Sequence, residues 1–300
     1  MREWNDIRGK QVLITGATNG IGLAAAAALA GLGANLVIVA RDKSKARNAT
    51  THIKAVAGSK TKITVLYADL SSQASVRRLA RQALDACPKL HVLINNAGAM
   101  YGTRQLTEDG IELTWALNHL APFLLTNLLL PRLKDSAPAR VITTASLAHQ
   151  LCSQIRFDDL NAERSYWGFG RYGESKLANI LFTKELARRL RGSGVTANCF
   201  HPGLVATGFN QNNGWLQDLV MTMVRPFSRT PQKGAETLVW LAATSEVQRQ
   251  SGVYFVDRQP VKPSPAARDM QAARRLWNVS EEQVRQTAAG ATRNQGASAD

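Results

Sequence analysis

The chain has 300 residues, 45% apolar and 20% charged, which is enough for one large α/β domain with a real core and excludes a disordered chain. Its three cysteines, Cys87, Cys152 and Cys199, cannot all pair and sit in or near apolar stretches, which argues for free thiols in a reducing compartment. The net charge of +15 falls largely on helix-like stretches such as Arg77, Arg78, Arg81, Arg188, Arg189 and Arg191, and without zinc-ligand spacing or basic–aromatic interleaving it predicts solvated faces and weak attraction to anionic membrane surfaces, not specific nucleic-acid binding.

The first residues, MREWNDIRGK, lack the apolar core of a signal peptide. No run reaches the ~18 apolar residues of a membrane span. The best candidate, LAPFLLTNLLL at 120–130, reads as a buried core helix. A cytoplasmic protein with no transmembrane anchor is expected. Strand-like and helix-like segments then alternate. QVLIT (11–15) precedes an alanine-rich helix at about 21–32. NLVIVA (35–40) precedes a polar helix at about 43–57. KITVLYA (62–68), a helix at about 72–86 and HVLIN (91–95) follow. A long helix is predicted at about 107–133, then RVITTAS (140–146), a helix at about 171–191, VTANCF (195–200) and GVYFV (252–256). Continuous Val/Ile/Leu runs between helices imply strands buried on both faces. The fold class expected is therefore α/β, a single doubly wound parallel sheet of about seven strands. One domain is expected over 1–287, with a substrate lid near 204–230 and a disordered tail at 288–300.

TGATNGIG (15–22) directly follows the first strand and opens the first helix. Gly16, Gly20 and Gly22, with Thr18, Asn19 and Ile21 between them, would let the backbone turn tightly against a pyrophosphate at the helix N-terminus. The second strand ends in Arg41, then Asp42. A cation there favours the 2′-phosphate of NADP(H) over NAD(H). Asp69 and Leu70 end the third strand, where an adenine could be held. LINNAG (93–98) places Asn95, Ala97 and Gly98 at the end of the fourth, where a ribose could pack.

YGESK (172–176) carries Tyr172 and Lys176 four residues apart, hence on one helix face. A nearby ammonium would lower the tyrosine pKa and suit the pair to acid–base work. Ser146 stands at the carboxyl end of the fifth strand, the edge where open α/β sheets bind ligands. HPGLVAT (201–207) leaves the sixth strand at the same edge.

Taken together, T-G-x-x-x-G-I-G at 15–22, Asp69-Leu70, N-N-A-G at 95–98, Asn118, Ser146, Y-x-x-x-K at 172–176 and P-G-x-x-x-T at 202–207 resemble the short-chain dehydrogenases/reductases. The stretches NHLAPFLLTNLLLPRL and SKLANILFTKELARRL are similar to the retinol-dehydrogenase-like branch. The resemblance covers about residues 10–257 and implies hydride transfer between a nicotinamide ring and a carbonyl or alcohol. It implies Tyr172 as acid/base, Lys176 lowering its pKa and holding the nicotinamide ribose, Ser146 on the substrate oxygen, and Asn118 organising a relay water. Pro202, Gly203, Val205 and Thr207 would complete the cofactor site. A homodimer through the helices of Asn118 and Tyr172 is allowed but not required. Pro122 lacks the N–H that would bond the Asn118 carbonyl, so a kink is expected there.

The spacing of 26 positions between Ser146 and Tyr172 is long for the family at large and resembles this branch. The intervening insert carries Phe157, Tyr166, Trp167 and Phe169. Trp167 and Phe169, with Trp215, Leu219 and Met223 of the lid, are the expected apolar substrate pocket. Tyr166 is a rival base without a lysine four residues on. His119 and His201 read as structural. The leading expectation is an NADP(H)-dependent oxidoreductase of lipophilic, retinal-like aldehydes or ketones. A steroid or polyketide-type ketone is the alternative substrate, and a non-catalytic NADP(H)-binding sensor or scaffold the alternative class.

Overall fold

The computed structural model describes residue 4 and residues 6–203 and 229–296, with side chains as far as Arg285. The expected lid, including Val205, Thr207, Trp215, Leu219 and Met223, lies outside the described residues apart from its last two positions. Among the described residues, eight strands form one sheet: β1 Gln11–Thr15, β2 Asn35–Ala40, β3 Ile63–Tyr67, β4 Val92–Asn95, β5 Ala139–Thr144, β6 Val195–His201, β7 Tyr254–Val256 and β8 Gln259–Pro260. Their order is β3-β2-β1-β4-β5-β6-β7-β8. The first seven run parallel. The eighth, two residues long, returns antiparallel along β7 and was not foreseen. The order reverses between β1 and β4, so the ligand crevice of such a sheet opens above their carboxyl ends.

The parallel strands are apolar on both faces because helices cover both. Leu13, Val37, Leu93, Val141 and Ala197 point into one core. It lies beneath α3 Gln73–Ala86, α5 Ala121–Asp135, α6 Gly168–Arg189 and α8 Met270–Gly296. Their neighbours Val12, Ile14, Leu36, Ile38, Val92, Ile94 and Ile142 point into the other. That one is covered by α1 Gly20–Gly31, α2 Lys43–Ala57 and α7 Pro231–Ala243.

The structure departs from expectation at three places. The helix expected from about 107 starts only at α4, Leu113–Trp115, because Thr107–Gly110 form a turn with Gly110 at φ +70°. Glu112 then caps α4 by accepting the N–H groups of Thr114 and Trp115, each at 2.9 Å. Between α4 and α5, residues Ala116–Leu120 widen into a π turn, and the Ala121 N–H bonds the Ala116 carbonyl five residues back. This is the interruption expected around Asn118: Pro122 has no N–H to offer the Asn118 carbonyl four residues back. Helices α7 and α8 were not foreseen. The backbone of α8 is helical to Gly296, where a disordered tail was expected from 288; Ala288, Ala289 and Ala291 are strong helix formers and outweigh the small polar residues among them.

Among the described residues, Leu113–Asp135 is the one helix long and apolar enough to cross a membrane, and most of it is buried within the fold. Phe123 of α5, Phe182 of α6 and Trp277 of α8 meet in a cluster whose centroids lie 5.0–5.9 Å apart. Arg189 lies 4.2 Å over the Trp277 ring. His119 of the π turn is buried and donates to Ser280 of α8 at 2.8 Å, since the Ser280 proton goes to the Leu276 carbonyl. Helix α8 thus braces the segment that carries Asn118. Trp277→Ala is expected to cost about 3–5 kcal/mol of stability, read as a lowered urea midpoint with little change in slope.

Candidate active site

The glycine turn is shaped by close backbone contact. Gly16 has φ +67°, and a Cβ there would lie 2.8 Å from the Ala97 Cα. A Cβ on Gly22 would lie 2.1 Å from the Gly16 carbonyl oxygen. Asn19 caps α1 by accepting the Gly20 N–H at 2.7 Å. Thr18 and Ile21 are half-buried beside it. The turn therefore presents bare backbone at the N-terminus of a long helix, which fits a pyrophosphate.

Thr15 and Asn96 fix this turn to β4. Thr15 Oγ1 accepts the N–H groups of Asn96 and Ala97 at 3.0 and 3.1 Å. Asn96 Nδ2 donates to the Thr15 and Gly16 carbonyls, both at 3.2 Å. The expected cofactor residue Asn95 points elsewhere: its Nδ2 donates to Thr126 of α5 at 2.9 Å. Side chains alternate along a strand, so only one of the two asparagines can face the turn. A Cβ on Gly98 would lie 3.3 Å from Lys176 Nζ and 3.1 Å from Asn118 Oδ1.

At the end of β2, Arg41 is exposed. Asp42 is committed elsewhere: it caps α2 by accepting the Lys45 N–H at 2.8 Å and the Ser44 hydroxyl. Those hydrogen bonds hold its carboxyl below the usual range. Asp69 accepts the N–H and the hydroxyl of Ser71 at 2.9 and 2.7 Å. Leu70 packs against the core. Pro202 and Gly203 follow β6, and the Arg229 side chain packs over Gly203.

The four expected catalytic residues converge. Helix α6 lies on the short turn Leu147–Leu151 that follows β5, and a Cβ on Gly173 would sit 2.5 Å from the Ala148 carbonyl. This approach brings Tyr172 to Ser146, and their hydroxyls are hydrogen-bonded. Lys176 Nζ lies 5.4 Å from the Tyr172 ring centroid and donates to the Thr144 carbonyl at 3.0 Å. The Asn118 side chain clamps Ala99: Oδ1 accepts its N–H and Nδ2 donates to its carbonyl, each at 2.9 Å. Asn118 Nδ2 also donates to Ser175, whose hydroxyl donates to the Tyr172 carbonyl at 2.7 Å.

Lys176 was expected to lower the Tyr172 pKa, but burial dominates here. It pushes the phenol up to about 12, against the opposing hydrogen bond from Ser146. It pulls the buried Lys176 ammonium down to about 8. At neutral pH the site holds a protonated phenol beside a cation.

The insert is held by buried charge. Arg171 is fully buried and bonds Glu112 at 2.7 Å and Glu174 at 2.9 Å. Glu174 in turn accepts the Arg156 N–H at 2.7 Å. Tyr166, the rival base, is a strut that donates to the Tyr101 carbonyl at 2.8 Å. Phe157 packs on the core beneath Arg275. Trp167 and Phe169 stand exposed at the start of α6, their rings 6.4 Å apart. Leu147 and Leu151, on the turn beneath α6, are exposed too.

A family model described as short chain dehydrogenase matches residues 10–215. Retinol dehydrogenase 12 of Mus musculus is 45% identical over 274 residues, 91% of this chain and 86% of that protein. Retinol dehydrogenase 14 of Homo sapiens is 42% identical over 298 residues, 93% of this chain and 87% of that one. Among solved structures, an uncharacterised protein from Mycobacterium paratuberculosis superposes with TM-score 0.74 at 33% identity, covering 95% of this chain and 98% of that chain. The RhlG/NADP active-site complex of Pseudomonas aeruginosa superposes with TM-score 0.67 at 28% identity, covering 85% and 97%.

Gly22→Ala is expected to force the glycine turn open and raise the Kd for a reduced nicotinamide dinucleotide about tenfold or more, measured by fluorescence titration. Gly31→Ala, in the same helix where nothing lies within 4 Å of the added Cβ, should leave binding unchanged.

Proposed function

The chain belongs to the short-chain dehydrogenase family, and on that premise we propose that it reduces the carbonyl of lipophilic aldehydes or ketones with NADPH in preference to NADH. Hydride transfer between a nicotinamide cofactor and an alcohol or carbonyl group is the chemistry of the family. The observation that carries the catalytic reading is geometric: the Tyr172 hydroxyl is hydrogen-bonded to Ser146 and its ring lies 5.4 Å from the buried Lys176 ammonium.

The nicotinamide ring, when bound, supplies the hydride. Gly16, Gly20 and Gly22 would hold the pyrophosphate, Asp69 and Leu70 the adenine, and Lys176 the nicotinamide ribose. Ser146 holds the substrate oxygen and Tyr172 gives it the proton. The phenolate left behind is stabilised by the Lys176 charge. The Asn118 side chain is already occupied by Ala99 and Ser175, which leaves its main-chain carbonyl, unbonded by Pro122, as acceptor for a relay water. Support for NADPH comes from the end of β2, where Arg41 is exposed and the Asp42 carboxylate, also exposed, is tied into its own helix cap. Support for a lipophilic substrate comes from the names of the relatives and from the exposed Trp167, Phe169, Leu147 and Leu151 near Ser146 and Tyr172. The free thiols suit a reducing, cytoplasmic setting, where NADPH favours reduction.

Three results would test this. Oxidation of NADPH against aldehydes graded by chain length, retinal included, should rise with apolar length and vanish in Tyr172→Phe. Tight NADPH binding without any turnover would instead favour a sensor. Arg41→Ala should raise KM for NADPH about tenfold or more while leaving KM for NADH little changed; equal losses remove the cofactor argument. Because Lys176 keeps its charge below about 8 and loses it above, reduction should be level through neutral pH and fall as pH rises past that point. Lys176→Arg should move the fall to higher pH.

A further inference from the structure

Two buried histidines lie outside the chemistry assigned above, and both touch one peptide group. His149, on the turn after β5, has Nδ1 2.7 Å from the Ser146 carbonyl oxygen. Its Nε2 accepts the Ser264 N–H at 3.3 Å. A carbonyl only accepts and an amide N–H only donates, so His149 is neutral with its proton on Nδ1. His201, at the end of β6, has the opposite arrangement. Its Nδ1 accepts the N–H groups of Leu147 and Gly203, each at 3.3 Å. The proton of this neutral ring is on Nε2.

The Ser146 carbonyl and the Leu147 N–H are the two polar ends of a single planar peptide. One histidine grips each end, in opposite tautomers. We propose that His149 and His201 are positioning residues that together fix the plane of the Ser146–Leu147 peptide, and through it the aim of the Ser146 hydroxyl at the substrate oxygen. The role rests on reading Ser146 as the residue that holds that oxygen. Rotating this plane changes ψ of Ser146, which stands extended at 155°, and shifts the Ala148 N–H that the Ser146 hydroxyl oxygen accepts at 3.2 Å, so the hydroxyl loses the bond that sets its rotamer. Imidazole suits the task because it offers either a donor or an acceptor at Nδ1 without charge. Burial keeps both rings neutral, holding His201 at about 4 despite Asp257 beside it, with Arg229 and His149 acting in the same sense as burial. The grip also reaches outward. His149 ties the peptide to Ser264, beyond β8, and His201 ties it to Gly203, where the chain leaves β6.

The test has a spectroscopic and a kinetic arm. Long-range 1H–15N spectra of the full chain at neutral pH, with His149→Asn and His201→Asn assigning the signals, should show an Nδ1–H ring at 149 and an Nε2–H ring at 201. The same tautomer at both positions overturns the clamp. In the kinetic arm, His149→Phe and His201→Phe should each lower kcat for NADPH-driven reduction of octanal about tenfold or more. The Kd for NADPH should stay within about twofold. The Asn variants keep a donor or acceptor where Nδ1 stood and should recover most of the loss. Ser146→Ala runs beside them. If it loses activity while the Phe variants do not, the positioning role is wrong. If the Phe variants lose NADPH binding and kcat together, their role is structural and the proposal fails. If Ser146→Ala changes nothing, the reading of Ser146 falls, and with it the purpose assigned to the clamp, whatever the tautomers.

Discussion

The site depends on how closely α6 can lie on the turn that follows β5. Gly173 removes the side chain that would otherwise meet the Ala148 carbonyl at 2.5 Å. Without that approach, Tyr172 and Ser146 would belong to separate elements with no common ligand. Each residue of the run from Tyr172 to Lys176 has a separate task in this contact. Tyr172 meets Ser146, Gly173 sets the distance, and Glu174 anchors the buried Arg171. Ser175 joins Asn118 to the helix, and Lys176 reaches back to the end of β5.

That strand end is where the two halves of the site are joined. The Thr144 carbonyl receives Lys176, and the Thr144 hydroxyl donates to Asn96 Oδ1 at 3.2 Å. Asn96 in turn holds the Gly16 carbonyl. A continuous path of hydrogen bonds therefore runs from the glycine turn to the buried ammonium. Every link but the lysine is neutral, which leaves the ammonium in a low-dielectric setting with no carboxylate bonded to it among the described residues and accounts for its lowered pKa.

The insert between Ser146 and Tyr172 uses a different device. Arg171 is surrounded by two carboxylates and lies 4.7 Å over the Trp115 ring. Breaking such a buried pair leaves an uncompensated charge, so the network holds its geometry tightly. Glu112 both caps α4 and pairs with Arg171, so the start of the Asn118 segment and the start of α6 are set by one carboxylate.

The sequence by itself determined the parallel sheet, the glycine turn, the one-turn spacing of Tyr172 and Lys176 and the break at Pro122. These are local consequences of strand alternation, helix periodicity and the missing proline N–H. It did not separate Asn95 from Asn96, because strand register decides which side chain faces the turn. It could not show that Asp42 would be taken by its own helix cap, that Tyr166 would be a strut, or that burial would push the Tyr172 phenol up. It read His201 as structural without seeing that it shares a peptide with His149, which lies 52 positions earlier in the chain. Those outcomes depend on desolvation and on hydrogen-bond partners distant in sequence, and only the packed tertiary structure decides them.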